Sequence, residues 1–222
     1  MPLGVDEAGK GPALGSMFAA AVSCPDPDAL PAGIADSKRL EPSRREQLAD
    51  RLRADDRIAV GVAEITPARI DDPETDMNSL AVAAHADAIA DCLEAWDRES
   101  PVSALCDACD TDADRFARRV REACPDGLEA NLEVDARHGA DDDAPIVGAA
   151  SIVAKVERDA HVDALAEEYG PVGSGYPGDP TTREFLEAYV DDHGELPACA
   201  RESWSTCQDL LADAQQTSLE GF

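Results

Sequence analysis

The chain has 222 residues, 47 of them Asp or Glu against 19 Lys or Arg, for a formal net charge of −28. Hydrophobic residues still make up 44%, which excludes the disorder an acidic, apolar-poor chain would adopt and suffices for one sizeable α/β core. Self-repulsion at this charge opposes compaction unless salt screens it to roughly 3 Å, so the composition predicts a halophile's protein.

In chain order, Leu3 to Val5 reads as a short strand running into an acidic turn, and Met17 to Val22 reads as its hairpin partner. Pro25 to Pro31 is loop. Asp36-Ser37-Lys38 precedes a helix over about 42–53, with Leu48 and Leu52 on one face. From Arg57 to Ile65 the alternation predicts a strand with Ile58, Val60 and Val62 pointing one way. A long helix follows over about 79–96, then a strand from Val102 to Cys106 ending at Asp107. A helix over about 111–122 and a strand around 132–134 come next. Pro145 suits the first turn of a helix reaching about Glu168. Gly170 to Pro180 must be loop, and helices over about 181–190 and 204–214 close the chain. This order predicts a mixed sheet flanked by helices, with a small C-terminal helical region.

The chemistry-bearing residues fall at predicted element ends. Asp6-Glu7-Ala8-Gly9-Lys10-Gly11 offers carboxylates for a hard divalent metal, backbone donors at glycines that allow close approach, and a cation. The same run could also be a solvated turn. Asp107 ends a strand and can face a cleft beside Asp6, while Asp110 is the better cap for the next helix. Cys106-x-x-Cys109 lacks the second pair a zinc site needs. In Asp110-x-Asp112-x-Asp114, Arg115 and Arg121 stand where a calcium loop requires glycine and glutamate. Asp141-Asp142-Asp143 precedes a helix, a placement the helix dipole already favours. Tyr176 sits in Gly173-Ser174-Gly175-Tyr176-Pro177-Gly178, either packed on the core or placed to meet a nucleotide. Only three lysines occur in the chain, Lys10, Lys38 and Lys155, and a surface that has shed nearly all its lysines should keep one only where a compact point charge is useful.

The opening run resembles that of ribonuclease HII, the type 2 ribonucleases H. The likeness continues through Asp36-Ser37-Lys38, Asp107, Asp141, the helix Ala150-Ser151-Ile152-Val153-Ala154-Lys155-Val156-Glu157-Arg158-Asp159 and the tyrosine loop of archaeal members, from about Gly4 to Trp204. It departs at Lys10, where many relatives have arginine. The resemblance implies a ribonuclease H-like fold and an endonuclease that cleaves RNA in RNA–DNA hybrids and at single ribonucleotides in duplex DNA, leaving 3′-hydroxyl and 5′-phosphate ends. It implies roles in replication primer processing and ribonucleotide removal. Asp6, Glu7, Asp107 and Asp141 would hold two Mg²⁺ or Mn²⁺ about 4 Å apart, with Asp6 bridging them. Gly9, Lys10 and Gly11 would hold the ribonucleotide's backbone and 2′-hydroxyl, Tyr176 would check the sugar at the RNA–DNA junction, and Lys38 and Lys155 would neutralise phosphates. Two other classes use the same carboxylates: an acidic metal-binding module, which would cleave nothing, and a phosphatase or transferase, which would not need a 2′-hydroxyl.

We expect one catalytic domain over residues 1–214 and a tail over 215–222. In that tail Gln216, Leu219 and Phe222 resemble the peptide by which replication and repair enzymes dock on the sliding clamp. One helical turn brings Leu219 and Phe222 to a single side. The first residues show no basic-plus-apolar leader, no apolar run approaches the roughly 20 residues of a membrane span, and seven irregularly spaced cysteines suggest reduced thiols. A cytoplasmic monomer is therefore expected.

Overall fold

The computed structural model describes residues 1–34, 40–94, 101–128 and 131–220, the last four of these by backbone only. Lys38, Trp96 and Phe222 lie outside the described residues. The chain forms two compact units, one of Met1–Ala8, Phe18–Glu64 and Met77–Glu157, the other of Gly9–Met17, Ile65–Asp76 and the residues from Arg158 onward.

The first unit holds a five-stranded mixed sheet in the order β3-β2-β1-β4-β5. Its strands are β1 (Pro2–Ala8), β2 (Met17–Ser23), β3 (Ala59–Ile65), β4 (Val102–Asp107) and β5 (Leu132–Arg137). β1 pairs antiparallel with β2, the expected hairpin, and parallel with β4, which is parallel to β5. β1 thus lies in the middle, and Leu3, Gly4, Val5 and Asp6 are all buried, as a strand covered on both faces must be. The strand is longer than its apolar residues alone predict: the acidic pair belongs to β1 itself, not to a turn after it.

Helices α1 (Pro42–Ala54) and the first half of α6 (Pro145–Tyr169) pack on one face of the sheet. Leu48 and Leu52 face Ala149–Ala154 there, and Ile58, Val60 and Val62 join them from the β3 segment, in the expected phase. Helices α3 (Met77–Cys92) and α4 (Ala113–Ala123) cover the other face. Two glycines let helices approach the sheet closely. A Cβ on Gly4 would lie 2.4 Å from the backbone of Ile146, and one on Gly61 would lie 2.2 Å from the Cys92 nitrogen. The three acids expected to precede α6 form a turn of their own, α5 (Ala140–Asp143), entered through Gly139 at φ 68°.

The second unit is helical. It contains α2 (Pro67–Ile70), the residues of α6 from Arg158 on, α7 (Pro180–His193) and α8 (Ser205–Glu220). Leu14, Leu165, Val172, Leu186 and Cys207 form its core, with Tyr169, Phe185 and Trp204 packed against them. α8 runs on past Ala214, so Gln216 is helical and exposed. No helix among the described residues is long and apolar enough to cross a membrane.

Candidate active site

Asp6 lies on β1 and Asp107 ends β4, its parallel neighbour, with Val5 opposite Cys106. The two carboxylates therefore reach the same end of the sheet. Asp141 joins them from α5, which is tied to β4 by the Ala140 amide donating to Asp107 Oδ1 at 2.9 Å. Ligand oxygens of Asp6, Asp107 and Asp141 all lie within 4.8 Å of one another. Asp6 is 5% exposed; burial first, then the charges of Glu7 and Asp107, push its carboxyl up to about 8. Hydrogen bonds from the Ser151 hydroxyl and the Glu7 amide (2.8 Å) only partly offset this. Burial likewise raises Asp107, helped by Asp141 and Glu7 and opposed by the Ala140 amide. Three crowded oxygen donors, two of them, Asp6 and Asp107, made harder to ionise by burial and neighbouring charge, are the ligand chemistry a hard divalent cation satisfies.

Glu7 takes a different direction. Side chains alternate along a strand, so while Asp6 faces Ser151 on α6, Glu7 faces α3. There its Oε2 accepts from His85 Nε2 at 2.8 Å. His85 is fully buried and meets Phe116 edge-on at 5.1 Å between ring centres. Of the four expected carboxylates, the structure brings three into one cluster and holds Glu7 beside it on a histidine. His85 escapes sequence reasoning; its one signal is a polar ring in the nearly all-apolar helix Leu80–Cys92, which must find a partner when buried.

Lys155 Nζ donates to Ser151 Oγ at 2.8 Å, one helical turn away, so a chain Lys155–Ser151–Asp6 leads from α6 into the cluster. His138 donates from Nδ1 to the Ala108 carbonyl at 3.1 Å, a structural contact across 30 residues of chain. The expected cap is corrected: Asp112 caps α4 by accepting from the Arg115 amide, while Asp110 is gripped by the Arg115 guanidinium.

Of the other expected substrate residues, Gly9, Lys10, Gly11 and Tyr176 lie in the second unit, and Lys38 is outside the described residues. Gly9 has φ 89°, and a Cβ there would meet Ser16 O at 3.0 Å, so this turn requires glycine. The Arg201 guanidinium donates to the carbonyls of Gly9, Lys10 and Gly15; sequence reasoning passed over this residue as well. Tyr176 is 45% exposed rather than packed in the core. Arg158 lies over its ring at 5.2 Å and bonds the Ser174 carbonyl, and Gly175 O accepts from the amides of Ala13 and Leu14. A Cβ on Gly11 would stand 3.7 Å from the Tyr176 ring, so the Gly-Lys-Gly turn and the tyrosine are neighbours.

The family profile described as Ribonuclease HII matches residues 3–207. A Ribonuclease HII of Haloarcula marismortui is 59% identical over 222 residues, covering 100% of each chain. Among solved structures, the ribonuclease H2 from Pyrococcus horikoshii OT3 has a TM-score of 0.85 at 34% identity, over 97% of this chain and 99% of that one. The PCNA:RNase HII complex from Archaeoglobus fulgidus gives a TM-score of 0.80 at 36% identity, over 95% and 96% of the respective chains.

Proposed function

The chain belongs to the ribonuclease HII family, and from that premise we propose that its Asp6, Asp107 and Asp141 cluster, with Glu7 beside it, is the centre that hydrolyses RNA strands paired with DNA. Membership makes the protein a ribonuclease H, a divalent-metal-dependent endonuclease acting on phosphodiester bonds of RNA in hybrids. The finer reading is ours. The substrates include a single ribonucleotide embedded in duplex DNA, two Mg²⁺ or Mn²⁺ ions serve one site, and the products carry 3′-hydroxyl and 5′-phosphate ends. The observation that carries it is the convergence of three carboxylates within 4.8 Å, one with its proton affinity raised to about 8.

Bound metal supplies water activation and stabilisation of the departing 3′-oxygen. The chain's own groups prepare for it. Asp6, Asp107 and Asp141 present oxygen donors from three elements and would hold the metal. The Ala140 amide orients Asp107, the Ser151 hydroxyl orients Asp6, and His85 orients Glu7. Gly9, Lys10 and Gly11 bind the ribonucleotide through main-chain contacts, Tyr176 checks the sugar, and Lys38 and Lys155 offset phosphate charge. Lys155 also reaches Asp6 through Ser151. Counterion release contributes little affinity in molar salt, so recognition by a chain of charge −28 rests on metal bridging and shape.

Gln216, Leu219 and Phe222 would dock on a sliding clamp, a reading supported by the PCNA complex of the Archaeoglobus fulgidus relative. A cytoplasmic monomer working in primer processing and ribonucleotide removal is the setting we infer. The test is a labelled duplex with one embedded ribonucleotide, incubated with Mn²⁺ at molar salt. We expect one nick whose 3′ end a DNA polymerase extends directly. A 2′,3′-cyclic phosphate end would contradict the reading, because it would make the 2′-hydroxyl the nucleophile; no cleavage with metal bound would leave only a metal-binding module.

A further inference from the structure

Arg201 is 0% exposed, and burying a guanidinium is costly unless its donors are all used. Burial, with the Arg158 charge nearby, draws its pKa down to about 10. Three of its five N–H donors end on backbone oxygens of one short segment: Nη2 on Gly9 O at 2.6 Å, Nη1 on Lys10 O at 3.1 Å and Nε on Gly15 O at 2.8 Å. Trp204 lies against the guanidinium at 5.0 Å and donates from Nε1 to Gly11 O at 3.2 Å. Three consecutive carbonyls, Gly9, Lys10 and Gly11, are therefore drawn to the same side by one arginine–tryptophan pair.

The arginine is itself held in place. Its amide donates to Ala13 O at 2.8 Å, and Gly15 N donates to Cys199 O at 2.8 Å, so residues 199–201 run as a short ribbon against 13–15. Asp71 fixes the next two residues, accepting from the amides of Glu202 at 2.8 Å and Ser203 at 2.9 Å. The geometry has a consequence for the other side of the turn. No peptide bond among the described residues is cis, and in a trans peptide the C=O and N–H point opposite ways. With the Gly9 and Lys10 carbonyls turned toward Arg201, the amides of Lys10 and Gly11 are aimed away from it. Two successive amides aimed alike form a concave donor pair suited to an oxygen ligand. A lysine could not impose this arrangement, because a single ammonium lacks the planar fork that spans several carbonyls.

We propose that Arg201, seconded by Trp204, is the positioning residue that sets ribonucleotide discrimination by fixing which way the Gly9-Lys10-Gly11 amides point. The proposal rests on the reading of that turn as the 2′-hydroxyl contact. Arg201 touches no substrate atom itself; it acts through the turn.

The test uses the full chain and two duplexes identical but for one ribonucleotide, with binding followed by fluorescence anisotropy in Ca²⁺ at molar salt. The wild type should favour the ribonucleotide duplex by about tenfold, the size of one or two good hydrogen bonds. Arg201→Lys should bring that ratio below about threefold, while Mn²⁺ affinity, which reads the carboxylates of the first unit, stays within about twofold. A merely structural role would weaken both duplexes equally and leave the ratio intact, and that result would overturn the proposal. Should Arg201→Lys not fold, Trp204→Phe decides: it keeps a ring against the guanidinium but removes the bond to Gly11 O. A reduced ratio supports the proposal and an unchanged one refutes it. If the wild type itself shows no preference, the reading of the turn falls, a different failure from variants that discriminate as well as the wild type.

Discussion

Asp6 sets the energetic character of the site. Its carboxyl titrates near 8 instead of 3.8 because it is buried beside other acids. A raised value means that the folded, metal-free protein holds a proton the unfolded chain has lost. Asp6's stabilising contribution is therefore complete below about pH 4 and disappears as pH rises through about 8. A bound cation reverses this by demanding the carboxylate. We expect Mn²⁺ binding at about pH 6.5 to release close to one proton from Asp6 and binding at about pH 9 to release almost none. Calorimetry in buffers of different ionisation enthalpy measures this directly, and a pH-independent proton count would show that Asp6 is already ionised. The acids were legible through the run Asp6-Glu7-Ala8-Gly9-Lys10-Gly11 and its likeness to a family motif, since an acidic pair alone reads equally well as a solvated turn and others lie within helices, such as Glu167-Glu168 and Asp191-Asp192. Their partners were not: His85 lies 78 residues from Glu7 and Arg201 lies 192 from Gly9, and no local pattern encodes such pairs.

At the scale of elements, periodicity gave nearly every strand and helix, and its errors have a common cause. It ended β1 at Val5 because acids do not belong in a buried central strand, yet Asp6 and Glu7 continue it. Their burial is tolerable because each finds a hydrogen-bond donor, Ser151 for Asp6 and His85 for Glu7. It also merged α5 with the approach to α6, since three acids before a proline read equally well as a dipole-stabilised lead-in. The placement of β1 depends on Gly4, where a Cβ would stand 2.4 Å from the Ile146 carbonyl. Gly4→Ala must push β1 and α6 apart, moving Asp6 relative to Ser151. We expect a loss of about 1–3 kcal/mol in urea unfolding, together with a fall in cleavage rate larger than any change in hybrid affinity. Unchanged stability would mean that the two elements separate without cost.

Over the whole molecule, the order of motifs identified the family because each motif is short and local. The division into two units could not be read this way. Gly9–Met17 and Ile65–Asp76 group with the residues from Arg158 onward, and only the fold shows that the Gly9-Lys10-Gly11 turn and Tyr176 share a unit. The charge of −28 was legible at once and marks the solvent in which activity must be assayed. In the proposed reaction the carboxylate cluster does the chemistry, and it is itself a source of repulsion. Cleavage of an RNA–DNA hybrid by Asp107→Asn, measured beside its melting temperature without metal, tests this most directly. We expect the rate to fall by about a thousandfold or more while the melting temperature holds or rises. A variant that cleaves within about tenfold of wild type, or that unfolds, would contradict the account.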